Sequence, residues 1–157
     1  MVSTETAVST RSTTSPRLRG LTIVILFLLA IQFVLGMATN LFVTIPSDHP
    51  GANPPEYFSG LFHSMTWAVT SSPLWLLLHA SLGLLLVVLT LVMLISAIVA
   101  RKGSWITVAV IGFIGVYSAG FNGGSFLNYN YDINSFFMAV GFIVAMTAYS
   151  FGLAIRK

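Results

Sequence analysis

His79 is the side chain of this 157-residue chain best placed to do chemistry, because it alone brings an ionisable group of the His, Lys, Arg, Asp or Glu types into a long apolar run. The surrounding residues read LLLHASLGLLL. An imidazole at membrane depth can ligate a metal or form hydrogen bonds across helices, whereas ion pathways and proton relays usually need several ionisable groups there. The sequence therefore disfavours a proton pump or an ion-coupled transporter.

Other polar side chains are expected near the same ends of the apolar runs as His79. These side chains could line an outward-facing pocket for a small molecule. They could equally form hydrogen bonds between helices that stabilise a helical bundle. The sequence leaves both interpretations open. The predicted polar cluster comprises Gln32, Asn40, His79, Asn122, Ser125, Asp132 and Asn134.

Haem b is the most specific cofactor hypothesis for His79. With Gly83 four residues further on, this run resembles the haem-ligating helix of small b-type cytochromes. A second axial ligand is harder to find, because the other apolar runs contain no histidine. His63 and His49, both outside the apolar runs, remain as candidates, but helical periodicity turns His63 towards water and His49 is expected to be solvated in a turn. Met65 and Met138 are alternatives that also serve as ordinary packing residues.

A metal site and a catalytic site are both disfavoured. Asp48, His49, Glu56 and His63 have metal-binding side chains, but their spacing matches no known metal motif, and His49 is expected to be solvated in a turn. There is no cysteine for a thiolate site. Residues 122–134, NGGSFLNYNYDIN, lack the lysine of a phosphate-binding loop and are interpreted as Asx-type turns of a hairpin. We expect no enzyme.

The composition places the chain in a membrane. Apolar residues make up 56% and charged residues 7%, against roughly 25% charged in average soluble domains. The mean hydropathy is +0.91. Apolar runs close to the roughly 20 residues that cross a bilayer predict an all-α integral membrane four-helix bundle. We predict a disordered cytoplasmic tail over 1–20 and one membrane domain over 21–157, with spans at about 21–40, 74–100, 105–121 and 135–155.

The basic residues predict the orientation. Lys and Arg concentrate on the cytoplasmic side of membrane proteins, and here all of them lie at alternate span ends, so both termini are predicted to be cytoplasmic. Seven residues scattered in this way form no nucleic-acid-binding patch. The first run also has features of a cleavable signal, but at roughly 18 residues it is long for one. The basic residues are Arg11, Arg17, Arg19, Arg101, Lys102, Arg156 and Lys157.

A further helix is predicted between the first two spans, over about 55–70. It follows Pro54 and Pro55, which favour a helix start, and its apolar residues recur at helical spacing. We expect it to lie on the outer membrane surface. Its predicted apolar face comprises Tyr57, Phe58, Leu61, Phe62, Met65, Ala68 and Val69, with Trp67 and Trp75 at interfacial depth and Trp105 at the inner boundary.

Small residues form stripes on the last two spans. Helices in lipid associate through such residues because they let backbones approach closely. A short connection makes these two spans antiparallel neighbours, so we predict that the stripes pack together, although one of them can instead mediate a homo-oligomer. The stripes are Gly115, Ala119 and Gly123, and Gly141, Ala145, Ala148 and Gly152.

Three blocks, HPGANPPEYFSG, HASLG and AGFNGGSFLNY, carry a resemblance to a family of small bacterial membrane proteins with four predicted spans. The resemblance covers roughly 30–150. It implies the same architecture and a location in the bacterial inner (plasma) membrane, and it brings no activity with it. It also implies that function lies on the outward-facing surface.

The function we expect is that of a non-catalytic membrane component, an accessory, sensing or ligand-binding protein with a polar outward-facing pocket. Its expected partners are the lipid bilayer, a membrane protein or further copies of itself, and no nucleic acid. A haem b electron-transfer protein centred on His79 is the first alternative. An oligomeric pore or small-molecule transporter is the second, and it would need a polar lining through the inner half of the bundle, where the sequence is apolar.

Overall fold

The computed structural model describes residues 16–154, which form five α-helices without a strand in that range. The predicted tail over 1–20 needs a correction, because residues 16–20 already belong to the first helix; residues 1–15 lie outside the described part. The helices are α1 (Pro16–Phe42), α2 (Tyr57–Thr70), α3 (Leu74–Val99), α4 (Gly103–Tyr129) and α5 (Asp132–Ala154).

Helices α1, α3, α4 and α5 are long and apolar enough to cross a membrane. They are apolar on every side, as expected when one face meets lipid and the other meets neighbouring helices. The all-helical four-helix membrane bundle is thereby confirmed, and the chain is a multi-pass membrane protein. α2 is the short fifth helix expected between the first two spans.

The four long helices form a closed ring. α1 packs against α3 and α5, and α4 packs against the same two helices. The short helix α2 sits on α3 and α4, at the end of the bundle where α1 ends and α3 begins. We call this the cap end. Arg17, Arg19, Arg101 and Lys102 lie at the opposite end, as the chain order requires.

The contact between α4 and α5 confirms the predicted packing of small residues. A Cβ atom on Gly115 would lie 2.7 Å from the carbonyl oxygen of Gly141, and one on Gly141 would lie 2.6 Å from that of Gly115. Further along, the ring of Tyr149 fills the space beside Gly112. The backbones approach each other at these points because no side chain separates them.

α4 is longer than predicted. Residues 122–129 are helical rather than a chain of Asx-type turns, and the helix ends at Asn130, whose φ of 53° is left-handed. Tertiary contacts overrule the turn-forming tendency of this segment, since Gly124 leaves room for Leu61 of α2. The predicted loop is thereby reduced to Asn130 and Tyr131.

α2 docks on the bundle through only part of the predicted apolar face: Ala68 is buried and Leu61 and Met65 pack against Gly124, whereas Phe58 and Phe62 do not take part. Its buried residues are Gly60, Ser64 and Ala68, a small-residue stripe that lets α2 approach the bundle. Phe58 and Phe62, which were predicted on one apolar face with Leu61, are 68% and 71% exposed. The helix therefore docks on protein through small residues and leaves these two aromatic rings on its outer side.

Candidate functional site

His79 and Gln32 meet where α1 crosses α3. The Nε2 atom of Gln32 donates to the backbone carbonyl of His79 at 3.1 Å and lies 3.4 Å from the Nε2 atom of its ring. Because the carbonyl can only accept, the carboxamide nitrogen is the donor, and the ring Nε2 that faces it is the acceptor. The contact thus favours the His79 tautomer with its proton on Nδ1, an atom without a hydrogen-bond partner among the described residues, as is Oε1 of Gln32.

Each member of this pair packs against a glycine of the other helix. A Cβ atom on Gly36 of α1 would lie 3.0 Å from Cε1 of His79, and one on Gly83 of α3 would lie 3.2 Å from Nε2 of Gln32. The histidine and the glutamine each precede a glycine by four residues, so the arrangement is reciprocal between antiparallel helices. This geometry favours the structural interpretation, in which the pair fixes α1 on α3.

The other residues of the predicted polar cluster have separate surroundings. Asn122 donates to the carbonyl of Ser118 in its own helix at 2.8 Å. Ser125 is buried, bonds to the carbonyl of Phe121 at 3.1 Å and shares a hydrogen bond of 2.7 Å with the hydroxyl of Tyr57. Within residues 16–154, Gln32 and His79 form the one hydrogen-bonded pair of the cluster. Asn40 and Asp132 are exposed, and Asn134 is half-buried.

These surroundings do not fit a haem. The Nε2 atom of His79 faces Gln32, and its ring lies against Gly36 with no space for a macrocycle between them. His63 is exposed on α2, as predicted, and its ring contacts Phe62. Across residues 16–154 no group of three or more His, Cys, Asp or Glu residues could hold a metal ion.

The methionines proposed as axial ligands pack instead against glycines of α4. The sulfur of Met138 would lie 3.2 Å from a Cβ atom on Gly123, and that of Met65 would lie 4.0 Å from one on Gly124. Neither contact places a methionine beside the His79 ring. Both sulfurs thus fill the space that small residues leave, which is the common role of methionine in a core.

The most organised polar structure lies at the cap end, around His49. This residue was expected to be solvated, but it is only 7% exposed. Its Nδ1 atom lies 3.0 Å from the carbonyl oxygen of Pro50, and its Nε2 atom lies 3.0 Å from that of Leu127. Its ring stacks on the indole of Trp67, with centroids 4.4 Å apart and planes 13° apart. His49 thus joins the chain after α1 to both α2 and α4.

Asn128 makes the second connection of the cap end. It is 1% exposed, accepts a hydrogen bond from the hydroxyl of Ser64 at 2.9 Å and donates one to the carbonyl of Tyr57 at 3.2 Å. Its own carbonyl accepts from the backbone N–H of Asn53 at 2.7 Å. The buried carboxamide of Asn128 therefore links α4 to Tyr57 and Ser64 of α2, and the backbone carbonyl of the same residue links α4 to the preceding loop.

These contacts also complete the end of α4. The last carbonyls of a helix have no partner within it and need donors from elsewhere. Here the carbonyl of Phe126 accepts from the N–H of Asn130, that of Leu127 from His49, and that of Asn128 from the N–H of Asn53. We call residues 43–56 the docking loop, because they supply two of these three donors.

The docking loop and the end of α4 line a partly open cavity of about 200 Å³. Two of the residues in its wall, Asn53 and Asn130, have left-handed backbones with φ of 47° and 53°. Such conformations cost free energy and often mark functional positions. The wall consists of Ile45, Pro46, Ser47, His49, Ala52, Asn53, Leu127, Asn128, Tyr129 and Asn130.

Glu56, the last residue of the docking loop, is the N-cap of α2. The carboxylate of Glu56 accepts hydrogen bonds from the backbone N–H groups of Ser59, at 2.6 Å, and Phe58, at 2.9 Å. These two bonds, that of Ser59 foremost, lower the pKa of Glu56 below its usual value. Glu56 thereby stabilises the start of α2 while remaining exposed.

His49 and Asn128 were missed as site residues because their burial arises from tertiary contacts. A signal was present in the sequence: Gly124 and Asn128 on α4, and Gly60 and Ser64 on α2, are small or polar residues spaced by four. Two such stripes indicate close, hydrogen-bonded helix packing. Compared with models of known protein families, with curated proteins and with solved structures, the chain matches none of them.

Proposed function

We propose that this protein is a non-catalytic component of the bacterial inner membrane that binds a small, polar, uncharged molecule in the cavity of its cap end, facing outward. The observation that carries the proposal is the cavity itself, which lies between two segments held in place by His49 and Asn128. Its wall offers carboxamides, a hydroxyl and the ring of Tyr129, with His49 as its sole side chain able to carry a positive charge.

The positions of the basic residues support the outward direction. Arg17 and Arg19 begin α1, and Arg101 and Lys102 separate α3 from α4, all at the end opposite the cap. Since such residues concentrate on the cytoplasmic side, the cap end would face outside. The remaining predicted cytoplasmic residues, Arg11, Arg156 and Lys157, lie outside the described range.

The interior between the helices favours binding at the cap over transport through the bundle. Away from the cap end, the core is filled by large buried side chains such as Leu86, Met93 and Trp105. A pore within one copy would need a polar lining along this half. The polar pair of Gln32 and His79 is closed against glycines, so it too provides no path.

The proposal is tested by calorimetric titration of the full chain in lipid nanodiscs with neutral sugars, polyols and zwitterionic amino acids. Saturable binding of one class with a Kd below about 1 mM, equivalent to about −4 kcal/mol, is expected. Ala52→Leu fills the cavity wall and should abolish binding. The matched control Ala139→Leu, on the exposed face of α5, should retain it. No binding by any of these classes, or equal binding by both variants, contradicts the proposal.

A further inference from the structure

We propose that His49 is a proton-binding site that latches the cap: the imidazolium form holds the docking loop on α4, and loss of one proton loosens it. The inference concerns how the cavity is controlled, so its biological meaning rests on the proposed function. The structural event itself, a proton-dependent attachment of the loop, is independent of any ligand.

The hydrogen bonds of His49 require both of its ring protons. Each ring nitrogen lies 3.0 Å from a carbonyl oxygen, one of Pro50 and one of Leu127. A carbonyl oxygen can only accept, and a neutral imidazole has a single N–H to donate. Only the doubly protonated ring can therefore make both bonds. In the neutral ring, one nitrogen lone pair would face a carbonyl oxygen at hydrogen-bond distance.

The surroundings of His49 also favour a positive charge. Leu127 lies in the last turn of α4, where the helix dipole places partial negative charge, and cationic side chains are stabilised at such ends. The ring stacks at 4.4 Å on the face of Trp67, which attracts cations. Two carbonyls, a helix end and an indole face, all groups that interact favourably with a cation, thus surround one buried ring.

The other ionisable groups of this region do not replace His49 in that role. In the loop, Asp48 is exposed and Glu56 binds the first N–H groups of α2. On α2, His63 is exposed, and the hydroxyl of Tyr57 bonds to Ser125. Tyr129 of α4 stacks between Tyr57 and the exposed Tyr131, and Asp132 is exposed at the start of α5.

The latch acts on the cavity because both groups that it joins lie in the cavity wall. His49 and Leu127 belong to opposite segments, the docking loop and α4. When the ring loses its second proton, either the carbonyl of Pro50 or that of Leu127 loses its donor. Loss of the bond to Leu127 detaches His49 from α4 and leaves the loop attached through Asn53, the stack on Trp67 and the packing of Gly51 and Pro54 against α2.

Spin labelling tests the latch in the full chain. The sequence contains no cysteine, so Ser47→Cys gives one labelling position on the exposed side of the docking loop. The mobile component of the nitroxide spectrum should rise several-fold when the pH is raised from about 5.5 to about 8. In His49→Gln, which has one side-chain amide and no titration, this change should disappear.

His63→Gln is the matched control, because it removes the other histidine of the cap end and should leave the pH response intact. The proposal is overturned if loop mobility is independent of pH in the wild-type sequence, if His49→Gln retains the response, or if His63→Gln loses it. Ring ¹⁵N spectra of the wild-type chain provide a second measurement that needs no variant at position 49. At about pH 5.5 they should show one histidine with both nitrogens protonated that is resistant to solvent exchange.

The two proposals fail in different ways. If no ligand binds but the mobility of the loop depends on pH through His49, the latch proposal stands and the ligand-binding proposal is wrong. If a ligand binds and Ala52→Leu abolishes this binding, but the mobility of the loop does not depend on pH, the ligand-binding proposal stands and the latch proposal is wrong.

Discussion

The carboxamide of Gln32 and the backbone of His79 are joined by a hydrogen bond of 3.1 Å that crosses from α1 to α3. Each of the two side chains lies against a glycine of the opposite helix, Gly36 or Gly83. A polar contact that also fills the space beside two glycines specifies one register of two otherwise apolar helices. This geometry favours a structural role for His79.

Gly36→Leu should separate α1 from α3. The Cβ atom of a side chain at this position would already lie 3.0 Å from Cε1 of His79, and the rest of a leucine has no room. Overpacking of this kind typically costs about 1–3 kcal/mol. Thermal unfolding in detergent, followed by helical circular dichroism, should show a clearly lower Tm. Gly20→Leu, in the same helix and with nothing within 4 Å of its Cβ position, is the control and should unfold like the wild-type protein. An equal effect of both variants would show that helix propensity, not the contact, determines the result.

The pair itself should behave as a coupled unit. Gln32→Leu removes both the donor to the backbone carbonyl of His79 and the contact with its ring. His79→Leu removes only the ring contact, because the backbone carbonyl remains, so we expect the glutamine variant to cost more. The double variant should cost less than the sum, with a coupling of about 0.6–1.7 kcal/mol, the range measured for hydrogen bonds between membrane helices. Unfolding of all four proteins in denaturant measures this coupling. Strict additivity would mean that the 3.4 Å contact between the two side chains contributes nothing to the α1–α3 contact.

The sequence predicts the spans well and the cap poorly, for physical reasons. A span is specified locally, because its length and apolar content must match the bilayer, and Leu74–Val99 was located almost to the residue. The burial of His49 depends instead on Trp67 and Leu127, which are distant in the chain and adjacent in space. The helical periodicity of α2 correctly predicts that His63 faces solvent, because the direction of this side chain depends on helix geometry alone.

The packing of small residues could be predicted from the sequence only in part. The stripe through Gly115 could be recognised from its spacing, and the short connection between α4 and α5 identified Gly141 as its partner. The length of α4 could not be recognised, because Gly, Asn and Ser favour turns unless tertiary contacts hold them in a helix. Contact with α2 supplies that missing information.

Glu56 should make the start of α2 sensitive to acid. Its pKa is lowered by the N–H groups of Ser59 and Phe58, so its stabilising effect is complete above the ordinary glutamate pKa of about 4.3 and is lost as the pH falls through the lowered value. The amide NMR signals of these two residues should therefore shift with a midpoint below about 4.3. Glu56→Gln should abolish the shift, and Asp132→Asn should leave it unchanged. A midpoint at or above the ordinary value contradicts the cap geometry.

Asn128→Leu should weaken the cap far more than the same change at Asn122. Asn128 is buried and bonds to both Ser64 and the carbonyl of Tyr57. Its loss leaves the buried hydroxyl of Ser64 without its partner, at a cost of about 1–3 kcal/mol, and also removes the donor to the half-buried carbonyl of Tyr57. Asn122 bonds only within its own helix, to the carbonyl of Ser118, and leucine there preserves the helix. Hydrogen exchange of α2 amides, measured by mass spectrometry, should increase strongly in Asn128→Leu and little in Asn122→Leu. Similar protection of α2 in both variants would show that apolar packing through Leu61 and Ala68, rather than the buried carboxamide, holds the cap on the bundle.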